Sequence, residues 1–235
     1  MMKFADLIKL FEKHQGRITE VTHHFLDYYT VKVATEKDFT WVAGEYAYFT
    51  VKDKRIKGRP FRELSIASIP EDGYVLLGFK TGEKPSSYKQ FIIDHGVNAE
   101  ISIRGPIGDF TLRDDNRPVV LFAAGVGITP IFSILKSISS DQKREVYVIY
   151  PSKQYHLFKE EIDSIAHMNP KIHLSYLHKS EEAQAKLTKL AKKLGNEAYY
   201  YTSGSGQVIK SIRNLLQGLG IEKNNMLNDH FEGYK

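Results

Sequence analysis

The sequence predicts two parts: an N-terminal antiparallel β domain over residues 1–112 and a C-terminal α/β domain with a parallel sheet over 113–235. Three observations carry this. Short β-branched or aromatic runs follow one another closely up to Ile103. From about Arg113 apolar strands alternate with helical stretches. Between them, Val119–Ala123 is a continuous apolar run, broken at Gly125-Val126-Gly127 and restarted at Pro130. A strand, a glycine turn and a helix start present free N–H groups and a positive dipole end to an anion.

In chain order, Leu7, Ile8, Leu10 and Phe11 fall at helical spacing, predicting a short amphipathic helix near 3–14 that Gln15-Gly16 ends. Strands are predicted at Ile18–Thr22, Tyr29–Ala34, Tyr46–Val51, Arg62–Ser68, Tyr74–Phe79 and Ala99–Ile103. Several short strands at close spacing indicate an antiparallel barrel or a sandwich. Pro85-Ser86-Ser87 opens a helix to about Asp94. Asp114–Arg117 reads as a polar linker. Beyond it, strands are predicted at Val119–Ala123, Val146–Tyr150, Ile172–Leu177 and Ala198–Thr202. The intervening helices lie near Ile131–Ser139, Phe158–Ala166, Glu181–Leu194 and Gln207–Gln217, with Gly195 as a C-cap. Strand–helix alternation implies right-handed crossovers and a parallel sheet covered on both faces. Thr129 stands where an N-cap hydroxyl belongs and Pro130 suits the first helical position.

Composition narrows the function classes. The 235 residues contain no cysteine, which excludes a disulfide scaffold, a cysteine-ligated cluster and a thiol nucleophile. The nine histidines show no metal-ligand spacing. The N-terminus intersperses charge with apolar residues and lacks a signal-peptide core, so a cytoplasmic location is expected. Pro118–Leu135 carries no charge, but its prolines and glycines argue against a bilayer span. A net charge of +5 favours anionic partners. The positive charges form no aromatic-interleaved stripe, so nucleic acid is not expected.

Arg62-Glu63-Leu64-Ser65-Ile66-Ala67-Ser68 resembles the flavin-binding signature of the ferredoxin–NADP reductase family, Arg-x-aromatic-Ser followed by Ile-Ala-Ser. Leu64 stands where that family has an aromatic residue. It can cover a ring but not stack on it with π character. Ser86-Ser87-Tyr88-Lys89 resembles the family's helix start at the FAD pyrophosphate, and Gly105-Pro106-Ile107-Gly108-Asp109-Phe110 resembles its closing turn. Gly125-Val126-Gly127-Ile128-Thr129-Pro130 resembles its nicotinamide-nucleotide loop. Ser203-Gly204 replaces its Cys-Gly beside the nicotinamide, and Asp229–Tyr234 resembles the acidic-Phe-x-Gly-Tyr tail of bacterial-type members.

The resemblance implies a β-barrel holding FAD and an α/β domain holding NADP or NAD, joined in an NAD(P)H-dependent FAD oxidoreductase. Ser65 is then expected at the flavin N5 edge and Ser203 at the nicotinamide, with hydride passing across the domain cleft. Arg62, Ser86, Ser87 and Lys89 are expected on the diphosphate. Glu63, Leu64, Phe79, Lys80 and Phe231 are expected around the flavin. Gly125, Gly127, Thr129, Pro130 and Gly204 line the nicotinamide-nucleotide loops. Ser152 and Lys153 follow the second parallel strand, where they suit a 2′-phosphate, so NADPH is favoured over NADH. Electrons would leave to a carrier protein such as ferredoxin or flavodoxin, or to a small acceptor. Lys52, Lys54, Arg55, Lys57 and Arg59 read first as a solvated hairpin tip; the functional alternative is a docking patch for such a carrier. A ferric-chelate or oxygenase-component reductase, and a flavin-binding redox-sensing or electron-transfer subunit without turnover, are the alternatives.

Overall fold

The computed structural model describes residues 9–229, in two compact units, Met1–Thr111 and Leu112–Lys235. The first unit is a six-stranded antiparallel sheet. Its strands are β1 (His14–Phe25), β2 (Tyr28–Thr35), β3 (Tyr46–Thr50), β4 (Phe61–Ser65), β5 (Val75–Lys80) and β6 (Glu100–Ile107), in the order β4-β3-β6-β1-β2-β5. An isolated bridge between Ile66, just past β4, and Leu77 of β5 links the two outer strands, so the sheet curls on itself and its outer edges are paired. Alternation sets the faces. Ala47 and Phe49 of β3 point into the core and are fully buried, while Tyr46, Tyr48 and Thr50 are only partly covered. The indole N–H of Trp41 donates to Ser68 O at 2.8 Å and ties the β2–β3 connection to the strand end after β4. One helix, α1 (Ser87–His95), follows β5. Ser86 caps it by accepting from the Lys89 N–H, and Tyr88, Phe91 and Ile92 are its buried residues.

Of the helix expected near 3–14, residues 3–8 lie outside the described residues, and its expected end differs. Residues 9–11 are helical, but β1 begins at His14, so Gln15 and Gly16 lie inside a strand. Gly16 is there because a Cβ would stand 2.8 Å from Val33 Cγ1 and 3.0 Å from Ala34 O.

The second unit is a five-stranded parallel sheet with helices between its strands. Its elements are β7 (Val119–Ala123), α2 (Ile128–Ser137), β8 (Val146–Pro151), α3 (Lys159–Met168), β9 (Ile172–Leu177), α4 (Ser180–Leu194), β10 (Tyr199–Ser203), α5 (Gly206–Gly218) and β11 (Met226–Asn228). The order is β11-β10-β7-β8-β9. The chain runs outward from β7 through β8 to β9, then returns to the other side of β7 as β10. The order therefore reverses between β7 and β10, a switch point whose crevice lies at the strand carboxyl ends. β7 is buried at all five positions. Val120, Phe122, Ile149, Leu187, Ile212 and Leu216 share one core cluster, as a sheet covered on both faces requires.

The uncharged run from Pro118 to Leu135 is a strand, a 3-10 turn and a helix. No helix of the described residues is long and apolar enough to cross a membrane. Asp114–Arg117 is more than a linker. The buried Arg144 guanidinium donates to the carbonyls of Arg113 and Asp115, Tyr199 Oη donates to Asp115 at 2.8 Å, and the Arg117 guanidinium lies 3.7 Å from the Tyr199 ring centroid. These contacts fasten the segment to the amino ends of the sheet.

Candidate functional site: an anion cradle in each unit

In the first unit, register places Arg62 opposite Phe49 and Leu64 opposite Ala47. Arg62 and Leu64 thus share one face of β4, while Glu63, opposite Tyr48, and Ser65, opposite Tyr46, take the other. Leu64 is already 7% exposed against protein alone. Arg62 is 8% exposed. It donates to the carbonyls of Arg59 and Phe61 and lies 5.0 Å from the Tyr88 ring centroid, so its planar group is held by carbonyls on its edge and a ring below.

Lys89, one turn into α1, donates its ammonium to Lys80 O and sits 5.8 Å from the Phe79 ring centroid. Burial, and next the positive charge of Arg62, hold the Lys89 ammonium below the ordinary lysine range, with Asp27 opposing. Asp27 is itself 3.6 Å from Lys80. Two neighbouring, largely desolvated cations at a helix N-terminus are stabilised by an anion between them. That charge arrangement fits a diphosphate, and so fits FAD.

The two serines of this corner differ. Ser86 is the N-cap. The Ser87 hydroxyl donates to Lys57 O at 2.7 Å and accepts the Lys57 N–H at 2.8 Å. It pins the β3–β4 loop to α1 and has no hydrogen left for a phosphate. Phe79 is buried and stacks with Tyr29, centroids 5.8 Å apart.

In the second unit the cradle is backbone. Gly125–Gly127 form a 3-10 turn after β7. Gly125 has φ 57°, a left-handed conformation that glycine adopts without strain. At Gly127 a Cβ would stand 2.6 Å from Gly204 N and 2.6 Å from Ser203 C. Gly204 has φ 155°, and its own Cβ would lie 3.0 Å from Ala124 Cβ. The turns after β7 and β10 therefore touch backbone to backbone at the switch point, and their glycines are the condition for it. Because the 3-10 turn runs directly into α2, the N-cap is Gly127 and not Thr129. The expected cap is corrected: Thr129 lies within the first turn, and its hydroxyl donates to Val126 O at 3.1 Å. Pro130 is buried beside it in the same turn.

Ser203 is fully buried and donates its hydroxyl hydrogen to Asp229 Oδ2 at 3.0 Å. Asp229 is placed there because β11 runs parallel to β10, pairing Thr202 with Asn228, and because its N–H donates to Thr202 O. The Asp229 carboxylate joins the site through its bond to Ser203, which residue spacing does not reveal. Its only sequence signal is its place at the head of the acidic tail motif. Phe231 lies outside the described residues.

The 2′-phosphate assignment changes at Ser152. Its hydroxyl donates to Tyr155 O at 2.5 Å and its N–H to Leu177 O, so it has no hydrogen to offer a phosphate. Lys153 is exposed in the same loop. His178 Nδ1 is 3.1 Å from Ser152 O. His156 is held below the ordinary histidine range, chiefly by burial, and its Nε2 lies 3.0 Å from Tyr150 O. Folding also gathers what spacing did not: His14, Glu36 and Asp38 bring one potential metal-ligand atom each within 4.8 Å of one another. That cluster includes none of the cradle residues.

The sequence pattern of the oxidoreductase NAD-binding domain matches residues 121–206. The flavohemoprotein of Bacillus subtilis is 30% identical over 194 residues, covering 76% of this chain and 48% of that protein. The chain spans about half the length, or less, of this flavohemoprotein and those of Halalkalibacterium halodurans and Deinococcus radiodurans. The FAD/NAD-binding domain of nitric oxide dioxygenase from Vibrio cholerae superimposes with a TM-score of 0.78 at 18% identity, covering 94% of this chain and 99% of that one. Ferredoxin–NADP+ reductase from Plasmodium falciparum with 2′P-AMP does so with 0.78 at 18% identity, covering 94% and 97%. With the antiparallel barrel, the parallel sheet and a matching NAD-binding segment in place, the chain belongs to the ferredoxin reductase-like family of FAD- and NAD-binding oxidoreductases.

Proposed function

We propose that this chain oxidises a reduced nicotinamide nucleotide, NADPH in preference to NADH, at a bound FAD and passes the electrons to a separate carrier protein such as ferredoxin or flavodoxin, or to a small acceptor. The observation that carries the reading is that each unit has a phosphate-accepting corner of its own: paired cations in one, apposed glycine turns in the other. The flavin, when bound, supplies the two-electron to one-electron conversion that no side chain here can perform.

The chain's own residues bind and align. Arg62 and Lys89 neutralise the diphosphate, and the α1 N-terminus adds its dipole. Ser86 holds that helix end in shape, and Ser87 fixes the adjoining loop. Ser65 is the hydrogen-bonding side chain assigned to the flavin N5 edge, with Glu63, Leu64, Phe79 and Lys80 around the same ligand. Gly125, Gly127 and Gly204 let a nicotinamide nucleotide approach the backbone, and Thr129 and Pro130 rigidify the turn beneath it. Ser203, fully buried with its hydrogen committed to Asp229, holds the turn after β10 in place and so orients the ring that lies against it. No protein base is needed, because the transfer depends on alignment. Lys153 is the residue left to favour a 2′-phosphate. Lys54, Lys57 and Arg59, on the exposed β3–β4 loop with Lys52 and Arg55, are the docking charges for an acidic carrier.

The test is anaerobic addition of NADPH and of NADH to the flavin-loaded protein. Rapid bleaching of the flavin band, faster with NADPH, is expected. A bound flavin that neither nucleotide bleaches would reduce the chain to a binding module. Charge reversal at Lys54 and Lys57 is expected to slow carrier reduction at low salt, and unchanged carrier kinetics would remove the docking assignment.

A further inference from the structure

A cavity of about 720 Å³ opens in the first unit, within the size range of small-molecule sites. Its walls come from the end of β3 and the loop after it, the carboxyl end of α1, the start of β6 and the residues that lead into β1. Arg62, Ser65, Ser86, Ser87 and Lys89 do not line it. It is therefore a second site, at the opposite end of α1 from the cation pair.

Its charges do not cancel. Asp53 is consumed by Arg55, whose Nε and Nη2 donate to its two carboxylate oxygens at 2.8 Å each. That bidentate pairing holds the Asp53 carboxyl well below the usual range. Glu100 lies 3.4 Å from Arg17. Lys13 and Lys52 also line the cavity, both exposed, and among the described residues no carboxylate stands within ion-pair distance of either. Two positive charges remain over, and an anion is the ligand they recognise.

The cavity also has a flat floor. The Arg55 guanidinium is clamped on its edge by Asp53 and lies 4.8 Å from the Phe91 ring centroid. It stays 56% exposed. A guanidinium immobilised in this way is a stacking surface for a planar ring. Asn98, Thr50 and Ser102 add neutral hydrogen-bonding groups.

We infer that this cavity binds a phosphorylated small molecule with a planar ring, of mononucleotide size. The phosphate lies toward Lys13 and Lys52, and the ring on Arg55. The inference uses none of the residues assigned to FAD or to the nicotinamide nucleotide; it shares Lys52 and Arg55 with the carrier-docking patch, so the ligand is titrated with no carrier present.

The probe is FMN, titrated into FAD-loaded protein and followed by calorimetry, with FAD release monitored. Saturable binding of one FMN without loss of FAD is expected. Riboflavin, which lacks the phosphate, is expected to bind roughly tenfold more weakly or worse. Lys13→Glu combined with Lys52→Glu is expected to weaken FMN by roughly tenfold or more, with FAD content and melting temperature unchanged, since both residues are exposed. Absence of binding, equal affinity for riboflavin, indifference to the double substitution, or release of FAD by FMN would each overturn the assignment. So would a loss caused by Lys153→Glu, which would place the ligand on the other unit.

Discussion

The two cradles hold the same chemical group by different physics. In the barrel unit the elements assigned to the phosphate are charged side chains, Arg62 and Lys89, both largely withdrawn from water and near enough for the charge of Arg62 to act on Lys89. In the α/β unit they are backbone, made available because Gly127 and Gly204 have no Cβ and the two turns meet. Side-chain charge can be titrated and removed one residue at a time. Backbone shape is insensitive to pH but fails when a single methyl group is added. The units should therefore respond to different perturbations, and that contrast can be broken.

The largest effect is expected from Arg62→Ala. Truncating one partner of a buried, hydrogen-bonded charge pair costs about 2–5 kcal/mol, so flavin should be lost on dialysis while NADP+ affinity is retained. The absorbance of the dialysed variant checks this. Next is Gly127→Ala. Its Cβ would lie 2.6 Å from backbone atoms of residues 203 and 204, and overpacking against atoms that cannot move away costs about 1–3 kcal/mol. Nucleotide-dependent flavin reduction should fall about tenfold or more with flavin content intact, as stopped-flow bleaching would show.

A third prediction concerns pH. Lys89 binds the anion only when protonated, and its pKa is lowered in the flavin-free protein. Flavin affinity should then decline as pH rises through that lowered pKa, with proton uptake on binding in this window. In Lys89→Arg the decline should vanish, because arginine stays charged. Titrations across alkaline pH measure it, and the glycine cradle should show no matching decline for NADP+. Asp229→Asn should have a smaller effect. Ser203 keeps a neutral acceptor in place of the carboxylate, so its bond weakens by about 1 kcal/mol. Reduction should slow severalfold, with little change in nucleotide affinity. The smallest is Lys153→Ala. One exposed lysine contributes about 0.2–1 kcal/mol, so the NADPH/NADH ratio of kcat/KM should drop by a few-fold at most.

What was legible in the sequence was what repeats locally. Val119–Ala123 and Ile172–Leu177 are strands over the residues expected, because continuous apolar runs of that length have few other outcomes. The glycine loop was legible because glycine is read directly. β1 extends beyond the predicted Ile18–Thr22 at both ends. It spans 12 residues, with register shifts between Ile18 and Glu20 and between His23 and Phe25, and a bulge erases the alternation that marks a strand. The side-chain partners were illegible. Nothing in the sequence tells that Ser152 spends its hydrogen on the Tyr155 carbonyl, that Ser87 spends its own on Lys57, or that Thr129 lies inside the helix and not at its cap. Asp229 stands 26 residues from Ser203. It reaches that serine only because β11, a strand of three residues, pairs with β10. A short strand at the end of a chain gives too few residues for any periodicity to show.

The most direct test is a cross-titration of FAD and of NADP+ against the unaltered chain, Arg62→Ala and Gly127→Ala, each shown by its melting temperature to be folded. Two independent cradles predict one FAD and one NADP+ per unaltered chain, loss of FAD alone in the first variant, and weakening of NADP+ alone in the second. An unaltered chain that takes up no FAD, or an Arg62→Ala variant that binds FAD as tightly as its parent, would contradict the account.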